Sequence, residues 1–138
     1  MANDFTVSVD VAAPPHQAWE LAGDPGRVHE WFGPVVATRV DGDIRTVDMA
    51  NGAQLRERLV DRDDNGLSYS YEVIEGIPAL TSHRATIAVA AAAHGCTISW
   101  RQAATSDNPD YDIEARLSGV MTAGLERLRD VLEGAAGD

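Results

Sequence analysis

The sequence has little cysteine, little basic charge and no long apolar segment, and each shortage excludes a class of protein. The single cysteine, Cys96, cannot form an internal disulfide framework and is compatible with a reducing compartment. Eleven basic residues stand against 22 acidic ones, and the net charge of -11 argues against nucleic acid and anionic membrane surfaces as partners, because both select basic patches. The apolar run at residues 88–93, AVAAAA, is far too short to insert into a membrane.

Targeting signals and familiar catalytic motifs are also missing. The opening segment, MANDFTVSVD, lacks the basic and apolar regions of a signal peptide, so we expect a cytoplasmic protein. The composition is rich in Ala, Asp and Arg and free of Lys, which suggests a GC-rich bacterial source. No G-x-S-x-G elbow, Cys/His nucleophile signature, P-loop or G-x-G-x-x-G is present. No metal-ligand spacing links His16, His29 and His94, so we expect neither a metal nor a cofactor.

What remains has the composition of one ordinary globular domain. A chain of 138 residues can build a single core, and its 44% hydrophobic and 24% charged residues are typical of such a domain. The sequence contains no repeat and no interdomain linker. We therefore predict one domain over residues 1–138, as a monomer or a homodimer.

The C-terminal segment predicts a long amphipathic helix. Apolar residues recur at three- and four-residue steps over residues 111–133, which is the spacing of one stripe on an α-helix. Asp107, Asn108 or Asp110 would cap the start of this helix, and Gly134 would end it. Such a helix cannot bury its stripe against itself. Because almost all of the preceding chain has strand patterns, we expect the stripe to lie across a sheet.

Alternating apolar and polar residues predict seven strands, with two short helices after the first. The first strand covers residues 5–11. Pro14 and Pro15 begin a short helix, PPHQAWELA, and Asp24 caps a second one over residues 25–31. The other six strands are predicted at residues 35–40, 44–49, 55–62, 67–74, 82–90 and 97–103.

Two Asn-Gly pairs set the register of the central hairpins. Residues 50–52 and 64–66 each fit a three-residue loop, in which a type I turn is followed by glycine in the left-handed region. This register pairs opposite charges on one face and mainly apolar residues on the other. A two-residue first loop would instead place Arg45 against Arg58, so we reject it. The predicted pairs are Arg45 with Glu57, Val47 with Leu55, Leu59 with Tyr71, and Arg58 with Glu72.

The inner face of this sheet is apolar with a polar minority. A purely structural core seldom holds many polar groups, whereas a ligand pocket typically does. If the sheet curls around the C-terminal helix, a hollow remains between them, and we expect that hollow to be the functional part. The polar members of the face are Arg45, Glu57, Tyr69, Tyr71, His83 and Gln102.

Residues 61–72, DRDDNGLSYSYE, satisfy the EF-hand calcium pattern letter by letter. The context argues against calcium, because an EF-hand needs flanking helices and the residues after this loop alternate as a strand does. Gly76 and Pro78 would also break an exiting helix. We therefore interpret the segment as a tight acidic turn.

The order of elements resembles the helix-grip fold, and the local sequence is similar to the START-like (SRPBCC) superfamily, in particular its polyketide cyclase/dehydrase and lipid-transport branch. The matching pieces are VDVAAPPHQAW, WFGP, IRTVDMANGAQLRERLVDRDD, YSYEVIEG and the hairpin from HRATIAV to TISW. The resemblance implies an α+β fold with a seven-stranded curved antiparallel sheet, two short helices and a long C-terminal helix across the sheet. It does not define a chemistry, because that superfamily contains binders, transporters, receptors and enzymes. His83 stands where relatives are expected to carry a tyrosine.

Three polar residues are the candidates for catalysis. Arg45 and Glu57 form either a buried cross-strand salt bridge or a polar anchor, in which Arg45 grips a ligand oxygen bidentately. His83 titrates near neutrality and is either a general acid or base or a satisfied structural group. Because a strand separates His83 from Glu57, we expect no direct contact between them.

Aromatic and helix residues complete the predicted site. Trp31 lies where the helix pair meets the sheet, and Leu117 and Met121 lie on the helix face toward the hollow. Gly124 in the middle of the helix implies close approach by a strand or a ligand. The predicted ligand-binding set is Trp31, Arg45, Val47, Glu57, Tyr69, Tyr71, His83, Trp100, Leu117 and Met121.

Three functions are compatible with this reading. The first is binding or transport of a hydrophobic small molecule, such as a lipid, polyketide or aromatic metabolite. The second is a metal-free cyclase/aromatase or dehydratase, in which Arg45 stabilises an enolate oxygen and Glu57 or His83 moves protons. The third is a protein-interaction module without a ligand, which a cavity of roughly 300 Å3 or more would disfavour.

Overall fold

The computed structural model describes residues 2–136 and has the predicted α+β architecture. Seven antiparallel strands form one curved sheet in the order β1-β7-β6-β5-β4-β3-β2, with a long C-terminal helix packed across it. The strands are β1 Ala2–Val11, β2 Val35–Asp41, β3 Ile44–Met49, β4 Gln54–Asp63, β5 Ser68–Glu75, β6 Leu80–Ala92 and β7 Gly95–Ser106. The helices are α1 Pro15–Ala22, a 3-10 helix Pro25–Glu30 and α2 Ile113–Ala136.

The ends of the C-terminal helix differ from the prediction. The cap is Asp112, whose Oδ1 accepts a hydrogen bond from the Ala115 amide at 3.0 Å. The predicted caps Asp107, Asn108 and Asp110 all lie before this position, and the Asn108 side chain accepts from the Asp110 amide at 3.0 Å, which closes the preceding turn. The helix also continues through Gly134 to Ala136, so the prediction that Gly134 ends it is wrong.

The first central hairpin confirms the predicted register. Arg45 pairs with Glu57 and Val47 pairs with Leu55. Gly52 adopts a φ of +91°, in the region that the three-residue loop requires of its last residue. The Gly52 amide donates to the Met49 carbonyl at 3.0 Å, which closes the turn.

The second hairpin has the predicted central register but a different turn. Leu59 pairs with Tyr71 and Arg58 pairs with Glu72, as expected. A register shift after Leu59 then makes the loop one residue longer, so that Asp63 pairs with Ser68. The left-handed residue is consequently Leu67, with a φ of +58°, and not Gly66. The Asp63 carboxylate closes this turn by accepting from two loop amides, at 3.0 and 2.9 Å.

The core lies between the concave face of the sheet and one side of α2. Gly124 allows close approach, as its position predicts, and the protein group nearest to it is the Phe32 ring, which follows the 3-10 helix, and no strand. A Cβ at residue 124 would lie 2.8 Å from a ring carbon of Phe32. The largest fully buried side chains are Trp31, Ile87, Ile98, Ile113, Met121, Leu125 and Leu128.

Candidate functional site

A cavity of about 400 Å3 lies between the concave face of the sheet and α2. Irregularities in strand pairing help to bend the sheet around it, because bulges increase local twist. They occur in β2 near Val35, between β4 and β5, and in β6 near Leu80. The lining is Phe32, Pro34, Met49, Asn51, Ala53, Leu55, Glu57, Tyr71, Val73, Gly76, Ile77, His83, Trp100, Gln102, Leu117, Val120 and Met121.

Glu57 lines this cavity and forms a buried pair with Arg45, which lies behind the lining. Arg45 Nε donates to Glu57 Oε1 at 2.7 Å, and the two residues are 2% and 5% exposed. Arg45 Nη1 lies 3.2 Å from the Tyr69 hydroxyl and 3.3 Å from the Pro25 carbonyl oxygen. The guanidinium carbon also lies 4.5 Å from the centre of the Tyr71 ring. The guanidinium of Arg45 is therefore directed at protein groups.

Arg45 holds its charge in spite of being buried. Burial disfavours the charged form, but the neighbouring Tyr69 and Glu57 outweigh that effect and raise the pKa of Arg45 above its ordinary value. Arg45 does not line the main cavity. It lines a small extension of about 50 Å3 behind it, together with Val47. This position favours a role for Arg45 in orienting Glu57. It does not favour direct binding of a ligand by the Arg45 guanidinium.

Two buried tyrosines and a buried tryptophan pack beside the pair. Trp100 Nε1 donates to the Tyr71 hydroxyl at 3.0 Å. Burial raises the pKa of both Tyr69 and Tyr71, so both hydroxyls stay protonated at neutral pH. Tyr71 and Trp100 line the cavity, whereas Tyr69 lies behind them against Arg45.

His83 occupies a gap in the sheet. The ladder between β5 and β6 ends at the pair Tyr71–Ala85, although both strands continue. Beyond that point His83 Nδ1 accepts the Val73 amide proton at 3.0 Å, and His83 Nε2 lies 2.6 Å from Gln102 Oε1. Since Nδ1 is an acceptor, the ring proton is on Nε2 and is donated to Gln102. Burial lowers the pKa of His83, which favours this neutral tautomer.

Most of the predicted ligand-binding residues come together in this cavity. Glu57, Tyr71, His83, Trp100, Leu117 and Met121 line its main part, and Arg45 and Val47 line the extension. Trp31 is fully buried behind the lining, with its ring centre 5.5 Å from that of Trp100. The prediction missed lining residues in loops, such as Pro34, Asn51 and Gly76, because loops carry no alternation that assigns a side chain to a face.

Residues 2–136 hold neither a cluster of metal ligands nor a membrane-spanning helix. No group of three or more His, Cys, Asp or Glu side chains in this range is arranged to hold a metal ion. No helix in the same range is long and apolar enough to cross a bilayer.

The fold and the family match define the class of protein. A seven-stranded sheet wrapped around a long C-terminal helix is the helix-grip fold of START-like (SRPBCC) proteins. The chain belongs to the family described as polyketide cyclase / dehydrase and lipid transport, which matches residues 2–133. A comparison with curated protein sequences finds no match.

Solved structures share this fold at low sequence identity. XoxI from Bacillus cereus superposes with a TM-score of 0.81 at 21% identity, over 94% of each chain. A norcoclaurine synthase from Thalictrum flavum, solved with a transition-state analogue, gives 0.78 at 17% identity, over 99% of this chain and 97% of that one. The di-domain ARO/CYC StfQ of the steffimycin biosynthetic pathway gives 0.77 at 19% identity, over 100% of this chain and 53% of StfQ.

Proposed function

We propose that this protein binds a hydrophobic small molecule in the cavity between the sheet and α2. The observation that carries the proposal is the cavity itself, because about 400 Å3 lies within the range of small-molecule sites. Its walls are mainly aliphatic and aromatic side chains, with a few polar groups, which is the usual composition of such sites. The family description, which includes lipid transport, supports the same reading. A pure protein-interaction role would need no such space.

A second candidate is a cyclase- or dehydratase-type enzyme. The observation that favours it is that Glu57, a carboxylate, and His83, a neutral imidazole, line the same apolar cavity. Arg45 fixes the orientation of Glu57. Glu57 would then accept a proton from a carbon of the substrate, and the electron pair of the broken C–H bond would move onto the adjacent carbonyl oxygen. Catalytic roles for Glu57, His83 and Arg45 remain part of this proposal.

Native mass spectrometry of protein purified from the cells that make it separates the two candidates. A carrier is expected to show an apolar adduct, and the adduct released from a Glu57→Gln variant should have the same mass. An enzyme is expected to retain substrate in that variant. Dehydration would make the two released masses differ by one water, whereas cyclisation without loss of water would leave the mass unchanged and give a different chromatographic retention time. Protein that carries no adduct in either form would contradict both.

A further inference from the structure

The cavity lining carries one formal charge, and it is negative. Among the residues of the described range, 2–136, that line the cavity, Glu57 has the one charged side chain, and no Arg is present. The whole sequence contains no Lys that could be brought there. The other polar side chains of the lining, which are Asn51, Tyr71, His83 and Gln102, are neutral at pH 7 in this environment.

The nearest cation is already engaged with protein oxygens. Arg45 donates from Nε to Glu57 and from Nη1 to Tyr69 and Pro25, and its guanidinium lies against the Tyr71 ring. Its side chain is 2% exposed, so a ligand in the main cavity meets the carboxylate before it meets the guanidinium. An acidic ligand would bring a second negative charge toward Glu57 without a cation in the lining to offset it.

His83 does not supply the missing positive charge at neutral pH. Its Nδ1 accepts from the Val73 amide, and a proton on that nitrogen would break this bond and place two N–H groups face to face. The groups around the ring are the Val73 amide, Gln102 and Tyr71, with the carboxylates of Glu57 and Glu72 farther away. The cavity therefore presents an acceptor in Glu57 and only neutral groups elsewhere.

We propose that the cavity selects neutral apolar ligands that carry a hydrogen-bond donor, such as a hydroxyl or an aromatic amine, and rejects carboxylates and other anions of the same size. The donor would bond to the Glu57 carboxylate, which accepts but cannot donate when ionised. This inference rests on the proposed binding function. It narrows the ligand to a chemical class that excludes free fatty acids.

Two dyes with the same aromatic skeleton test this selectivity. N-phenyl-1-naphthylamine is neutral and carries an amine donor, and 8-anilinonaphthalene-1-sulfonate adds a negative sulfonate. In fluorescence titrations of the intact chain at pH 7.5, the neutral dye should bind with a Kd at least tenfold lower than that of the sulfonate. A Val120→Trp variant places a large side chain in the cavity lining. The fluorescence signal that this variant loses relative to wild type is the part that comes from dye bound in the cavity.

Variants of the buried pair show whether Glu57 causes the discrimination. The double variant Arg45→Met/Glu57→Leu removes both charges and leaves no unpaired one, so the ratio of the two Kd values should fall to within about threefold. The single variant Glu57→Gln leaves Arg45 uncompensated and should shift the preference toward the sulfonate. Circular dichroism and urea unfolding verify that each variant is folded, and the double variant remains informative if the single one is not.

The outcomes separate this inference from the proposed function. Equal cavity affinity of the wild type for the two dyes would overturn the selectivity while leaving hydrophobic binding in place. A tenfold preference that persists unchanged in the double variant would also overturn it, because the preference would then not come from Glu57. Absence of binding by both dyes to the wild-type cavity would count against the proposed function itself.

Discussion

At the residue scale, the buried ion pair between Arg45 and Glu57 is the central feature of the candidate site. Hairpin register alone predicts that Arg45 lies opposite Glu57, and in the structure Arg45 Nε and Glu57 Oε1 are 2.7 Å apart. The sequence did not predict which way the guanidinium points, because that depends on the Pro25 carbonyl, 20 residues away, and on Tyr69 in another strand. Pairing across neighbouring strands is a local property, whereas the direction of a long side chain is a tertiary one.

Removing one member of this pair should be costly. An Arg45→Met variant leaves Glu57 buried without its partner, and we expect the free energy of unfolding to fall by about 3–5 kcal/mol. The control is the exposed salt bridge between Arg56, which precedes Glu57 in β4, and Glu75 in β5. Arg56→Met should cost no more than about 1 kcal/mol. Urea denaturation measures both, and equal losses in the two variants would contradict the role of Arg45.

His83 should make stability depend on pH. The folded pKa is lowered by burial, so between about pH 6.5 and the folded pKa the unfolded chain binds a proton that the folded chain does not. Wild-type stability is therefore retained above the unfolded pKa and lost as the pH falls. His83→Asn keeps an acceptor near Val73 and does not titrate. The difference in unfolding free energy between wild type and variant should shrink from pH 7.5 to 5.5, and a constant difference would refute this assignment.

At the element scale, hydrophobic periodicity predicted the strands and α2. The residues at which some of these elements begin and end differ from the prediction because local hydrogen bonds determine them. The cap of α2 is Asp112 because Asn108 is committed to the preceding turn. Leu67 takes the left-handed position in the second hairpin because Asp63 accepts from the amides of Asn65 and Gly66. Which polar side chain caps a helix or closes a turn depends on backbone geometry, and the alternation of apolar and polar residues does not predict that geometry.

Two glycines of α2 should respond in opposite ways to alanine. A Cβ at Gly119 meets no atom within 4 Å, so Gly119→Ala should stabilise the helix by up to about 1 kcal/mol. A Cβ at Gly124 would lie 2.8 Å from the Phe32 ring, so Gly124→Ala should lose that gain through displacement of the ring. Thermal and urea unfolding compare the two variants. A similar stabilisation at both positions would show that the contact with Phe32 is unimportant.

At the scale of the whole molecule, the curved sheet and α2 leave space that a filled core would not. The sequence indicated the existence of this cavity through the polar residues on an otherwise apolar face. It could not give the volume, because that depends on how far bulges in β2, β4 and β6 bend the sheet. It also placed Trp31 and Tyr69 in the site, whereas both lie behind the lining.

Binding inside this cavity is most directly tested by filling it. Val120 lines the cavity and is 39% exposed, and Val131 on the same helix is 41% exposed and outside the lining. Titration with N-phenyl-1-naphthylamine should give a Kd at least tenfold higher for Val120→Trp than for wild type, and an unchanged Kd for Val131→Trp. Equal affinities in all three proteins would contradict binding between the sheet and α2.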